Sequence, residues 1–118
     1  MKEVFRSDLI IGEKRRLITR LYKTQTSQQY PRGLKFCVQY LYLRDKEKEE
    51  WLEIVRIDNY THKNQTGTHI HLFRKKEVKL VEMSFQEAKG EAIRLGDKIS
   101  ALLEGETNGK NRDSRECP

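Results

Sequence analysis

The chain contains few of the residues that build metal-binding or disulfide-stabilised domains, with two cysteines and three histidines among 118 residues. Two cysteines cannot form a disulfide framework, and because Cys117 is the penultimate residue, the cysteines and histidines do not match zinc-finger spacing. No apolar run approaches the roughly 18 residues that a membrane span needs, and the first residues lack the apolar core of a signal peptide. These absences predict a cytoplasmic protein with reduced thiols and no membrane association.

Charged residues are as abundant as apolar ones, at 36% each. The length fits a single domain, and the modest apolar content predicts a thin core made of one sheet face covered by one helix. The formal net charge of +6 permits a nucleic acid or another acidic molecule as a partner.

Alternation of apolar and polar residues predicts a series of strands joined by short polar segments. The predicted strands span residues 4–11, 15–24, 34–43, 51–58, 68–75 and 78–83. A longer polar segment that contains Pro31 and Gly33 is predicted to be a loop over residues 25–33. Parallel strands need crossovers of a dozen or more residues, so these short connections predict an antiparallel meander.

The hydrophobic period becomes helical after residue 83. Ser84 and Glu87 form a capping-box pattern that predicts the start of a helix. Apolar residues then recur every three or four positions and are expected to face the sheet: Phe85, Ala88, Ala92, Leu95, Ile99 and Leu102. Two glycines within this stretch, Gly90 and Gly96, weaken the helix and are expected to allow close approach to the sheet.

Gly105 is the expected end of the helix, and the polar residues 106–118 are predicted to be a disordered tail. The predicted domain therefore spans residues 1–105. Its fold class is α+β, with an antiparallel meander sheet of five to six strands and one C-terminal helix packed on one face.

Residues capable of chemistry are concentrated between positions 56 and 71, where Arg56 and Asp58 precede all three histidines, His62, His69 and His71. Strand parity places Arg56 and Asp58 on one face of the strand 51–58, and His69 and His71 on one face of the strand 68–75. If the two strands are antiparallel neighbours, these four side chains share the sheet face opposite the helix, and His62 lies in the connecting loop.

The same parity also puts Leu52, Ile54 and Phe73 on that face, so it is expected to be partly apolar.

Two imidazoles side by side on a strand suit either metal binding or proton transfer. An arginine can bind phosphate, and an aspartate can orient an imidazole or ligate a metal. Histidine with arginine is also the set used by metal-independent ribonucleases, in which imidazoles transfer protons and arginine stabilises the phosphorane. No cofactor is expected, and a divalent metal held by His69 and His71 with Asp58 or His62 is the alternative. An ordinary strand with polar residues on its solvent face is a further explanation of the pattern.

The pattern Arg56-x-Asp58-Asn59-x-x-His62, followed by His69-x-His71, resembles the small bacterial and archaeal proteins grouped as TumE-like toxins, or closely related uncharacterised families that share the Arg-x-Asp-Asn and His-x-His core. The similarity covers about residues 34–103. It departs from the common family pattern, which has Pro-His-His after the Asp-Asn pair and a further histidine before His-x-His. The resemblance implies the toxin of a toxin–antitoxin pair, with an antitoxin protein as partner and RNA as target.

Two functions from different classes follow. In the first, the chain is a small enzyme that cleaves or modifies RNA with Arg56, Asp58, His62, His69 and His71. In the second, it is a non-catalytic module that binds an acidic protein or a nucleic acid through basic strand residues: Arg15, Arg16, Arg20, Arg74, Lys75 and Lys76. A concave pocket at the histidines favours the enzyme, and a flat sheet favours the module. Oligomeric state does not follow from the sequence.

Overall fold

A computed structural model of the chain describes residues 1–61, 67–75 and 79–116, with only the backbone for residues 79–80 and 106–116. The elements within these ranges are β1 (Lys2–Gly12), β2 (Arg15–Lys23), β3 (Leu34–Asp45), β4 (Glu50–Asp58), β5 (Thr68–Leu72), β6 (Lys79–Val81) and α1 (Phe85–Glu116). The described strands form one sheet in the order β1-β2-β3-β4-β5-β6, and each pairs antiparallel with the next. The predicted α+β fold with an antiparallel meander and one C-terminal helix is confirmed.

The connection between β2 and β3 is the predicted loop around Gly33, and it closes through its own backbone. The amide of Thr24 donates to the carbonyl of Gly33 across 2.8 Å, and Gly33 has a φ of 66°. A side chain at this position would bring its Cβ within 2.8 Å of the Thr24 carbonyl oxygen. Both the backbone conformation and the available space therefore require glycine here.

The core lies between α1 and the face of the sheet that we call the helix face, which β3 supplies with Phe36, Val38, Tyr40 and Tyr42. These alternate residues are all buried, as the period of two predicts. Fully burying an aliphatic or aromatic side chain of this kind contributes about 1.5–3 kcal/mol.

The helix approaches the sheet closely at Gly96. A Cβ atom at this position would lie 2.5 Å from Cε2 of Tyr40, so only glycine fits beneath that ring. The Tyr40 hydroxyl donates to Oδ1 of Asp97 across 2.6 Å. Burial, together with this hydrogen bond, raises the pKa of Tyr40 to about 12. The expected close approach is confirmed for Gly96, whereas at Gly90 no described atom of another element lies within 4 Å of the equivalent position.

The capping box forms as predicted: the Ser84 amide donates to the Glu87 carboxylate, and the Glu87 amide donates to the Ser84 hydroxyl. The prediction that Leu102 faces the sheet is wrong, because this side chain is 66% exposed. Leu103 packs against the core instead, because it lies four residues after Ile99 and so continues the buried stripe.

The helix continues beyond Gly105 to Glu116, so Gly105 does not end it in the structure. The disorder predicted for residues 106–118 concerns the chain in solution and stays a prediction. Among the described residues, no helix has both the length and the apolarity needed to cross a membrane.

Candidate functional site

A β-bulge in β4 determines which side chains reach the site. Val55 pairs with Tyr40, but the next pair joins Glu53 to Leu41, so Ile54 is an extra residue in its strand. The bulge reverses the alternation, and Leu52 falls opposite Tyr42 on the helix face.

The expectation that Leu52, Ile54 and Phe73 share the polar face was therefore wrong. Ile54 is fully buried in the core, and Leu52 and Phe73 pack against it.

On the other side of the bulge the predicted parity holds. In the β4–β5 register Arg56 is opposite His71, and Asp58 is opposite His69. All four belong to the sheet face that does not contact α1, which we call the distal face. His62, the fifth predicted residue of the site, lies outside the described residues.

The carboxylate of Asp58 is the centre of this group, and its two oxygens have different neighbours. Oδ1 accepts a hydrogen bond from the Tyr60 amide across 3.1 Å, which fixes the side chain against its own backbone. Oδ2 lies 3.3 Å from Nε of Arg56 and 3.5 Å from Nε2 of His71. Asp58 is 2% exposed, so its charge faces these two groups with little screening by water.

The two histidines differ in their access to solvent. His69 is 1% exposed, whereas the side chain of His71 is 24% exposed and that of Arg56 is 36% exposed. The ring centroids of the two histidines lie 6.3 Å apart, so they are neighbours without stacking. An external molecule can therefore reach His71 and Arg56, while His69 and Asp58 lie beneath the surface.

Asn59, the last residue of the Arg-x-Asp-Asn pattern, has a structural role that sequence reasoning missed. Its Oδ1 accepts from the Phe36 amide and its Nδ2 donates to the Leu34 carbonyl, each across 2.8 Å. The side chain thus imitates a backbone segment and extends the β3–β4 pairing by two hydrogen bonds. By holding the end of β4 against β3, Asn59 fixes the position of Asp58.

β3 and the start of β4 add three side chains that sequence reasoning did not include. Cys37 is opposite Asp58 and Gln39 is opposite Arg56. Gln39 donates to Glu53 across 2.8 Å, and Glu53 lies 3.5 Å from Arg56. The Arg56 guanidinium is therefore held between two carboxylates. The β3–β4 register would have revealed these neighbours, but the bulge hides that register from the sequence.

Cys37 is not an activated nucleophile. Burial, followed by the nearby negative charge of Asp58, raises the pKa of its thiol to about 11. A thiol in this environment stays protonated near neutral pH, so the chemistry of the site belongs to the imidazole, guanidinium and carboxylate groups.

Basic and aromatic side chains extend the distal face away from Asp58. Nζ of Lys35 lies 4.3 Å from the ring centroid of Tyr60, and the Arg16 guanidinium lies 5.5 Å from that of Trp51. Burial raises the pKa of Tyr60 to about 12. Arg20 is exposed on the same face, opposite Cys37.

The basic residues proposed for a binding module do not form one surface. Arg15 turns to the helix side, where its guanidinium reaches Ser100 and Glu104. Arg16 pairs with Asp8 and Arg20 is exposed on the distal face, whereas Arg74 stacks on Phe73. Lys75 is exposed, and Lys76 lies outside the described residues.

The proposed metal ligands do not form a metal site within the described part of the chain. No group of three or more histidine, cysteine, aspartate or glutamate side chains in those ranges is placed to hold a metal ion. Asp58 and His71 face one another across 3.5 Å, and the ring centroids of His69 and His71 lie 6.3 Å apart.

A cavity of about 410 Å³ lies elsewhere, at the start of α1. Its walls come from the 25–33 loop, the beginning of β3, the residues just before and within the first turn of the helix, and Asn59 with residues 67–68. Arg56, Asp58, His69 and His71 do not line it. The cavity therefore does not supply the concave pocket that would favour an enzyme at the histidines.

Comparisons of the chain with protein-family models, curated protein sequences and solved structures gave no match. The class that fold and site together define is an α+β protein with a polar cluster of Arg, Asp and His on the distal face of its sheet.

Proposed function

We propose that the protein acts on RNA as the toxin of a toxin–antitoxin pair, and that His71 transfers a proton at the reacting phosphate. The observation that carries the proposal is the buried Asp58 carboxylate, whose Oδ2 faces both Arg56 and His71. The toxin role rests on the sequence resemblance of the motif, and the antitoxin is the partner that it implies.

The geometry supports separate roles for Asp58, His71 and Arg56. Asp58, anchored by the Tyr60 amide, lies beside the imidazole of His71 and orients it. Arg56 presents a permanently charged, forked donor beside it, which suits a phosphate or a phosphorane. Both His71 and Arg56 are accessible, so the two groups that must contact RNA are the two that solvent reaches.

Of the histidines among the described residues, we assign proton transfer to His71 alone. His69 is buried and cannot contact a bound strand without a rearrangement. We assign it a positioning role in the packing around Asp58, to which it is opposite. A second proton-transferring group would have to be His62 or a solvent molecule.

The rest of the distal face suits a single-stranded nucleic acid. Arg20 and Lys35 supply positive charge, and the rings of Tyr60 and Trp51 supply surfaces on which bases stack. The attraction to phosphate is expected to weaken steeply with salt, since basic side chains displace counterions from the strand.

The test is expression of the wild type and of His71→Ala in bacterial cells, followed by growth and by the integrity of total RNA. The wild type should arrest growth and degrade or modify RNA, and His71→Ala should do neither. Arg94→Ala is the matched control, because Arg94 is exposed on α1, where it pairs with Glu91 of the same helix. It should behave as the wild type does.

Circular dichroism and yield of the three purified proteins show whether each folds. Wild-type protein that leaves growth and RNA unchanged would contradict the toxin proposal. Inhibition that persists in folded His71→Ala would remove His71 from it.

A non-catalytic module for an acidic protein or nucleic acid is the second proposal, and one observation favours it: the 410 Å³ cavity lies away from the histidines. The module predicts that His71→Ala retains the affinity of the wild type for single-stranded RNA. Under that function Arg20→Ala and Lys35→Ala should weaken binding, whereas neither the wild type nor any variant should change the RNA.

A further inference from the structure

The first strand is a long and exposed edge of the sheet. β1 has 11 residues, lies at the end of the strand order, and pairs only with β2 among the described strands. None of its residues is buried, and its apolar side chains include Phe5 at 44% and Leu9 at 56% exposure. Proteins usually protect such an edge, because its free backbone groups and apolar side chains can pair with another strand.

Charges often give this protection, but on β1 they are arranged so that a second copy attracts the first. Antiparallel pairing of two β1 strands about Ser7 places Arg6 opposite Asp8 of the other copy, twice. The same register places Phe5 opposite Leu9, also twice, on the other face of the sheet. Opposite charges and apolar pairs at directly facing positions both stabilise a sheet.

Neighbouring registers lose this match. Shifting by one residue would set side chains of one face against those of the other, which the pleat does not allow. Shifting the centre to Arg6 places two arginines together, and shifting it to Asp8 places two aspartates together. Of these registers, only the pairing about Ser7 places both opposite charges and apolar side chains directly across from one another.

Each of these charges already has a partner within the chain. Arg6 lies 2.7 Å from Glu3, and Asp8 accepts from Arg16, and the side chains of Arg6 and Asp8 are 58% and 47% exposed. Ion pairs as exposed as these rearrange at little cost, so they do not oppose pairing between copies.

We propose that β1 is a dimer interface, on which a second copy of this chain docks its own β1 in antiparallel register about Ser7. The two-fold axis runs perpendicular to the sheet, so the described strands of the two copies form one continuous sheet. Because this symmetry keeps each face on its own side, the distal faces of both copies point the same way. The interface is isologous, as in most two-subunit proteins.

The test measures mass by light scattering after size exclusion over a range of protein concentrations. The wild type should give about twice the 14.1 kDa of the chain. Arg6→Asp sets two aspartates against each other at both facing pairs, and Asp8→Arg sets two arginines against each other there. Each variant alone should therefore raise the dimer dissociation constant by about tenfold or more.

An equimolar mixture of the two variants makes the test specific for the register. In the mixed dimer each facing pair joins an aspartate of one variant to an arginine of the other, so the mixture should associate at about the wild-type level although neither variant does so alone. The double variant Arg6→Asp with Asp8→Arg tests the same point within one chain. In its homodimer both facing pairs again join an aspartate to an arginine, so association should return to the wild-type level. Arg94→Asp changes an exposed charge on the helix and is the matched control, which should dimerise as the wild type does. Circular dichroism establishes that each variant is folded.

A crosslink provides a second measurement that does not alter charge. Ser7→Cys, in a chain with Cys117→Ser, should form a disulfide-linked dimer under mild oxidation, whereas Ser27→Cys in the exposed loop should not. Wild-type protein that stays at the mass of one chain would overturn the proposal. So would a double charge variant that fails to associate, or a Ser7→Cys chain that does not crosslink.

Discussion

The contact between α1 and the sheet at Gly96 makes a prediction in which two similar substitutions have opposite effects. Gly96→Ala should destabilise the protein, because the new methyl group would overlap the fully buried ring of Tyr40, 2.5 Å from its Cε2 atom. Overpacking of this kind costs about 1–3 kcal/mol or more. Alanine recovers about 1 kcal/mol of helix propensity relative to glycine.

Because the overlap with the Tyr40 ring is severe, the cost of overpacking is expected at the upper end of its range, about 2–3 kcal/mol. The net loss should therefore be about 1–2 kcal/mol, with a decrease in Tm of roughly 3–10 °C for a domain of this size. Moving the ring would also disturb the hydrogen bond from Tyr40 to Asp97.

Gly90→Ala is the matched control in the same helix. No described atom outside the helix backbone lies within 4 Å of the added methyl group, so only the propensity term applies and the variant should gain up to about 1 kcal/mol. Urea denaturation followed by circular dichroism measures both changes against the wild type. If Gly96→Ala is as stable as Gly90→Ala, the helix does not approach Tyr40 as closely as described here.

Three further predictions concern the sheet, its titratable groups and the end of the helix. Asn59→Ala should lower the free energy of unfolding by about 1–3 kcal/mol, since two backbone groups at the start of β3 lose their partner, and urea denaturation checks this. Stability should also fall as pH rises from about 9 to 12. In the folded chain the pKa of Cys37 is about 11 and those of Tyr40 and Tyr60 are about 12, whereas the ordinary values are near 9 for cysteine and 10 for tyrosine. The unfolded chain therefore loses these protons at lower pH than the folded chain does. Stability that is constant across this range in alkaline denaturation would contradict the assigned burial. Limited proteolysis should cut residues 106–118 before the loop at 25–33, and survival of that segment while the loop is cut would contradict its predicted disorder.

Parity gave the correct face for the site because it depends only on the period of two and on β4 and β5 being neighbours. That alternation predicted that Arg56, Asp58, His69 and His71 share a face, and the observed register adds that Arg56 is opposite His71 and Asp58 is opposite His69. The bulge at Ile54 did not follow, since an isoleucine in a strand carries no mark of an extra residue. This single irregularity explains how Leu52 can belong to the core while Arg56 belongs to the distal face.

The unequal burial of the two histidines was also beyond the sequence. His69 and His71 alternate identically, yet one is buried and the other partly exposed. Burial on a sheet face depends on what the rest of the chain places above it, and spacing along one strand does not encode this. On the helix, the 3–4 spacing is compatible with either Leu102 or Leu103 facing the sheet. Leu103 is the one that packs against the core in the structure.

We propose that His71, oriented by Asp58 and assisted by Arg56, transfers a proton during a reaction of RNA. The most direct measurement is the rate at which purified protein cleaves a labelled single-stranded RNA, with wild type, His71→Ala and Arg94→Ala compared at equal RNA occupancy. We expect cleavage by wild type and Arg94→Ala, and a rate for His71→Ala that is lower by about 10²–10⁴-fold with binding retained. Equal rates for wild type and folded His71→Ala, or tight binding by wild type with no cleavage, would contradict it.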